Sequence, residues 1–184
     1  MPDIRCAQCG ADLTVANPHQ VRCPQCGLYL VLDDVTGEWI SPAERDRRQR
    51  EARTAQFIEE SRLTVQAHLA EATVLLPDGW SIESGQIMDG SVHALTVAVP
   101  PQPGPADAAT GAITGNRVIA IATLTPPSDG LGWHVEVSNR VQRVSYPLFA
   151  GGGVRAAEYA TVAAAMDAAV NVLRIELSDP RNRT

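Results

Sequence analysis

Lysine is missing from this chain of 184 residues, and all 15 basic side chains are Arg. Schiff-base catalysis and Lys-dependent phosphate loops are thereby excluded, because each needs an ε-amine. The composition fits a GC-rich bacterial or phage genome, which favours Arg and Ala codons; selection against a lysine-directed modification is the alternative. Aromatic residues are also scarce, at 4%, so the core must be mainly aliphatic. No run approaches the roughly 18 to 20 apolar residues of a membrane span, so no membrane partner is expected. The segment Met1-Pro2-Asp3-Ile4-Arg5 leads straight to Cys6 without an apolar stretch. No export signal is therefore expected, and a reducing cytoplasmic setting leaves the thiols free. Excess basic charge is lacking too: the net charge of -6 argues against coating nucleic acid electrostatically.

What remains is 45% apolar, enough for one ordinary domain and a small appendage. The four Cys lie within the first 26 residues, in Cys6-Ala7-Gln8-Cys9-Gly10 and Cys23-Pro24-Gln25-Cys26-Gly27. Each C-x-x-C turn can offer two thiolates to one ion, and four such ligands complete a tetrahedron. The Gly after each second Cys permits a left-handed turn, from which backbone amides can reach the sulfurs. The expected metal ligands are Cys6, Cys9, Cys23 and Cys26, and four thiolates leave no open position for a catalytic water. A Cys nucleophile is excluded on the same ground. His19, between the knuckles, is expected to be an exposed loop residue.

Over residues 4–32 these knuckles resemble the zinc-ribbon superfamily. The resemblance implies a structural Zn2+ and a short hairpin, with strands at 13–15 and 27–32. Iron is the rival metal, because the same knuckles resemble the rubredoxin-like modules of rubrerythrins. Those pair their iron with E-x-x-H helices, and this chain has no E-x-x-H. Residues 1–40 hold two Arg against five acids, which favours a protein partner over a nucleic acid.

Ser41-Pro42-Ala43-Glu44 is a capping box with Pro at the first helical position. A helix is expected from here to about residue 72, exposed and connecting over 41–62. Glu44 with Arg48 and Asp46 with Arg50 are spaced for i,i+4 pairing. Arg45, Arg47, Arg48, Arg50 and Arg53 scatter around the helix axis, so a solvated spacer is expected and not a groove-reading face. Phe57, Ile58, Val65 and Leu69 then form an apolar stripe, with His68 at its edge.

Residues 63–184 read as an α+β domain. Alternating runs at 80–88 and 91–99 flank Asp89-Gly90, a hairpin signal. A mobile Pro-rich loop is expected at 100–116. A second hairpin at 116–125 and 131–137 turns through 126–130, and a further strand is expected at 141–149. A long helix is expected at 156–177, with Tyr159, Val162, Met166, Val170, Leu173 and Leu177 facing the sheet. The expected fold is thus a zinc ribbon, a connecting helix, and a two-layer domain of four or five antiparallel strands; no internal repeat is visible.

Candidate chemistry elsewhere is thin. Gly151-Gly152-Gly153-Val154-Arg155-Ala156 matches G-x-G-x-x-A, but no second parallel strand follows, so a plain strand-to-helix turn is expected. His134 and Glu136 share one strand face and form the only acid/base candidate; His93 falls on the apolar face of its strand. The expected function is a non-enzymatic regulatory protein docking on a protein partner. The alternatives are a nucleic-acid-binding regulator using the ribbon and the Arg-rich helix, and a small enzyme around His134 and Glu136.

Overall fold

The computed structural model describes residues 4–6, 8–14, 17, 19–87, 90, 92–103, 115–127, 132–149 and 156–182. Val15, Asp89, most of the expected loop at 100–116, the 128–130 part of the expected turn and the 151–155 part of the Gly-rich motif lie outside them. The chain divides into two compact units, Met1–Gln56 and Phe57–Thr184.

In the first unit, β1 (Ile4–Arg5) pairs antiparallel with β2 (Asp12–Leu13). Strands β3 (Gln20–Arg22), β4 (Tyr29–Leu32) and β5 (Trp39–Ile40) form an antiparallel sheet in that order. Of the strand expected at 13–15, only Leu13 among the described residues is in a strand, at the end of β2, whereas that expected at 27–32 appears as β4. The two do not pair with each other: β2 pairs with β1, and β4 with β3 and β5. Little apolar surface is available here. The buried cluster is Cys6, Leu13, Val21, Cys23 and Leu30, with Ile4, Ala11, Leu28 and Trp39 packed at its margin.

The expectation of no internal repeat needs correcting. One turn occurs three times in this unit. Cys6 N–H donates to Ala11 O and Gly10 N–H to Cys6 O, at 2.8 and 2.9 Å. Cys23 N–H with Leu28 O and Gly27 N–H with Cys23 O repeat this at 2.8 and 2.9 Å. Asp33 N–H with Glu38 O and Gly37 N–H with Asp33 O repeat it again, at 2.8 and 2.7 Å. Gly10, Gly27 and Gly37 have φ of 72°, 76° and 71°, the left-handed conformation that this turn requires. The third copy escapes notice in the sequence because Asp33 and Thr36 stand where the others have Cys.

Helix α1 (Pro42–Val74) starts as its capping box prescribes: Ser41 Oγ accepts from Glu44 N–H at 3.2 Å. The Glu44–Arg48 pair forms at 3.0 Å. Asp46, however, approaches its neighbour Arg45 at 4.0 Å, and no Asp46–Arg50 pair forms. The buried residues of α1 are Ser61, Val65 and Ala72, all in its second half.

The second unit is built on a five-stranded antiparallel sheet in the order β12-β11-β10-β7-β6. Its strands are β6 (Ser81–Ile87), β7 (Val92–Ala98), β10 (Ala120–Thr125), β11 (His134–Asn139) and β12 (Val144–Pro147). Between β7 and β10, the short strands β8 (Gln102–Pro103) and β9 (Asn116–Arg117) pair with each other, so both ends of the expected Pro-rich loop are tied together. Alternation along the strands sends Leu95, Val97, Ala120, Ala122, Leu124, Val135 and Val137 into one core. Val65 and Ala72 of α1 enter the same core, together with Val162, Ala165, Met166, Ala169 and Leu173 of α2 (Val162–Ser178). The architecture is α+β, as the sequence indicates. No described helix is long and apolar enough to cross a membrane.

Helix α2 begins six residues later than the periodicity of 156–177 suggests. Long-range pairing claims the segment before it. Trp133 N–H donates to Tyr159 O at 2.7 Å, and Tyr159 N–H returns a bond to Trp133 O at 2.9 Å. Ala156 bridges to Phe149. A Cβ on Gly132 would lie 2.6 Å from Tyr159 O, so only Gly admits this approach. Thr161 then caps the helix, its Oγ1 accepting from Ala164 N–H at 3.2 Å. Consequently Tyr159 lies outside the helical stripe, and the Gly-rich motif, described only at Ala156, does not open a helix. The strand expected at 141–149 is likewise shorter, because 140–143 turn back and Arg143 adopts φ 56°.

Candidate metal centre

Two copies of the repeated turn bring the Cys residues together. Cys9 Sγ lies 3.5 Å from Cys23 Sγ, and Cys6 Sγ lies 3.6 Å from Cys26 Sγ. All four sulfurs fall within 4.8 Å of one another. Sulfurs around a tetrahedral ion at about 2.3 Å would be about 3.8 Å apart, so the cluster needs little movement to close on a metal. The first Cys of each knuckle is 2% exposed, and the second is open to solvent.

The backbone already aims positive charge at these sulfurs. Amides of Cys9 and Gln8 point at Cys6 and hold its thiol below the ordinary value. Amides of Cys26 and Gln25 bring Cys23 down to about 6; the Cys26 N to Cys23 Sγ distance is 3.5 Å. Cys9 receives the Ala11 amide, but desolvation and the three other sulfurs outweigh it and push this thiol up to about 12. Cys26 is raised by desolvation and by the Cys23 and Cys6 sulfurs against the Leu28 amide. Four sulfurs this close cannot all ionise without a cation among them. The donor set, its spacing and its amides therefore fit a metal ion held by Cys6, Cys9, Cys23 and Cys26, and among the described residues no other group of His, Cys, Asp or Glu is so placed.

The remaining candidates do not converge. His19 is exposed, and its amide is tied to Asn17 Oδ1 at 2.9 Å. His68 meets the Trp133 ring edge-on at 5.6 Å and Glu71 at 3.2 Å. The His93 N–H donates to Ser61 Oγ at 3.0 Å, where β10 no longer covers β7. His134 and Glu136 occupy the outer face of β11, opposite Thr125 and Thr123 of β10. No His, Cys or acid stands beside them on the described part of β10.

Two polar clusters go beyond what the sequence indicates, which in the first of them is the Glu44–Arg48 pair alone. Around Arg48, Nη1 donates to Asp33 Oδ2 at 3.1 Å and to Glu38 Oε2 at 2.9 Å, while Nε donates to Glu44 Oε1 at 3.0 Å. In the second unit, the buried Asn139 and Asn182 bond at 3.0 Å, and Gln142 Nε2 donates to Asn182 Oδ1 at 3.1 Å. Glu176 completes the network by accepting from Asn139 and from the Tyr146 hydroxyl. Burial and then the Glu176 bond push the Tyr146 hydroxyl up to about 12. These groups satisfy one another and fasten the short 3-10 turn at Pro180–Asn182 to the end of the sheet. Only an alignment of distant positions could have revealed them, since their partners lie up to 43 residues apart.

Compared with protein-family models, curated proteins and solved structures, the chain matches none.

Proposed function

We propose that this chain is a zinc-binding interaction protein, non-enzymatic and regulatory, in which a structural Zn2+ organises the first unit and the α+β unit docks on a protein partner. The observation that carries this reading is the closed set of four sulfurs, each already met by backbone amides. Four thiolates fill a tetrahedral sphere, so the ion would supply cross-linking and not a reactive water. Zinc is favoured over iron because the E-x-x-H helices that accompany the rubrerythrin modules are missing from the sequence.

A protein partner is favoured over nucleic acid by the charges of the Arg-rich helix. Arg47 is paired with Glu44 and Glu51 at 2.7 and 2.9 Å. Arg48 is paired with Asp33, Glu38 and Glu44. Arg47 and Arg48, so committed, offer phosphates little free charge, which leaves the exposed Arg50 and Arg53 as too few for a phosphate-gripping face.

Metal analysis of purified protein tests the first half of the reading: one zinc per colourless chain is expected, and a red, iron-containing protein would contradict it. Pull-down from the native host, with wild type beside a Cys6→Ser, Cys9→Ser double variant, tests the second half. Enrichment of a defined protein is expected. Retention of DNA or RNA with a steep salt dependence would favour the nucleic-acid reading instead.

A further inference from the structure

The turn at 33–37 copies the Cys knuckles beyond its backbone. In each Cys knuckle the amide two residues on, of Gln8 or Gln25, faces the first sulfur. In the third turn the Val35 amide donates to Asp33 Oδ1 at 3.1 Å. The second Cys accepts from Ala11 or Leu28, and Thr36 Oγ1 likewise accepts from Glu38 N–H at 3.4 Å. Asp33 is therefore placed as the first ligand and Thr36 as the second, with oxygen in place of sulfur. What lies against them is a cation, the Arg48 guanidinium, at 3.1 Å from Asp33 Oδ2 and 3.4 Å from Thr36 Oγ1. The Val35 amide, the Thr36 hydroxyl and Arg48 hold the Asp33 carboxyl below the usual carboxylate range, so the pair is fully charged.

Position along the chain makes this contact more than a surface ion pair. Strand β4 leaves the second Cys knuckle and ends at Leu32, the residue before Asp33. Strand β5 pairs with β4 and delivers Ser41, the cap of α1. The first half of α1 contributes no buried residue, and a helical segment without an apolar face is marginal in water. The polar contacts that hold it to the first unit are the Ser41 cap and Arg48, beside the half-buried Pro42 and Arg45. Ser41 follows β5 and Asp33 follows β4, strands that the Cys knuckles organise.

We infer that the turn at 33–37 is a third knuckle whose cation is the Arg48 guanidinium, and that through it the metal state of the four-Cys centre governs how firmly the start of α1 is held. This rests on the metal-binding reading above and adds a regulatory output to it. With metal bound, the five Arg at 45, 47, 48, 50 and 53 are balanced by Glu44, Asp46, Glu51, Asp33 and Glu38. Metal loss dissolves the third knuckle, releases Arg48 from Asp33 and Glu38, and leaves the helix start with two more Arg than acids.

Hydrogen exchange of the full chain, read by mass spectrometry with zinc content measured on the same samples, tests the inference. Wild type, Arg48→Ala and Arg47→Ala are compared with zinc bound and after chelation. Arg47→Ala breaks pairs of similar geometry within the helix but none with the third knuckle. In wild type and Arg47→Ala, chelation is expected to speed exchange at 45–50 by at least about tenfold. Zinc-bound Arg48→Ala should keep one zinc, exchange rapidly at 45–50 already, and change less than about twofold on chelation. Zinc-bound wild type whose exchange at 45–50 ignores chelation would overturn the coupling and leave the metal site standing. An Arg48→Ala protein that still responds like wild type would overturn the role of Arg48. Absence of zinc from wild type would overturn both the coupling and the metal-binding reading.

Discussion

In Met1–Gln56 the buried cluster is five residues deep, and two of the five are Cys. In Phe57–Thr184 two helices and a five-stranded sheet share a continuous aliphatic core around Leu95, Leu124, Met166 and Leu173, and among the described residues Trp133 is the one buried aromatic in it. The second unit can offset its conformational entropy by burying apolar surface. The first buries only five side chains in its cluster, and below about 70–80 residues so small a core generally needs a staple such as a metal. On the metal-binding reading proposed above, short antiparallel strands and tight turns depend on two different sources of stability, and removing one is expected to leave the other in place.

The largest effect should come from Cys23→Ser. It removes the thiol most readily ionised and a quarter of the ligand set. Zinc binding should be lost, and amide NMR signals of 4–40 should collapse towards random-coil positions, while those of 92–98 and 134–139 stay in place. Collapse of both sets together would break the comparison. A second test concerns protons. Cys9 and Cys26 have raised thiol values, yet the metal-bound form needs all four thiolates. Metal uptake at pH 7 should therefore release at least about two protons, and affinity should rise at least about 100-fold per pH unit near neutrality. Calorimetry in buffers of different ionisation enthalpy reads this directly.

Within the second unit, Leu124→Ala opens a cavity at a fully buried site and should cost about 2–5 kcal/mol of unfolding free energy, with zinc content unchanged. Asn182→Ala removes one acceptor each from Gln142 and the buried Asn139; about 1–3 kcal/mol is expected. Thr161→Ala removes the cap of α2 and should cost about 1 kcal/mol. Denaturant titrations followed by β11 and α2 amide signals read these three. A shift in zinc affinity with any of them would blur the division between the units.

The parts of this molecule that could be read from its sequence are those whose cause is local. The two knuckles are written in two runs of five adjacent letters, the start of α1 in Ser41-Pro42-Ala43-Glu44, and the β6–β7 pairing in Asp89-Gly90 between two apolar runs. The parts that could not be read depend on partners far along the chain. Tyr159 has helical spacing from Val162 and Met166, but pairing with Trp133 across Gly132 holds it extended. Asn139 lies between the strands expected at 131–137 and 141–149 and proves to be the buried end of β11, held by Glu176 and Asn182. The third knuckle hid behind a change of ligand chemistry: Asp33 and Thr36 carry the bonds of Cys with oxygen, and Arg48 comes from 15 residues downstream. Its one sequence signal was Gly37, four residues after Asp33, just as Gly10 follows Cys6 and Gly27 follows Cys23.

The contrast between a metal-held unit and a core-held unit is tested most directly by titrating zinc into the chelated full-length protein and following backbone amides by NMR. Signals from β1 to β5 should be absent or undispersed without metal and appear in proportion to zinc up to one ion per chain, with the signals of β7, β10 and β11 unmoved. A first unit already dispersed before zinc is added, or a second unit that folds only when zinc arrives, would contradict the account.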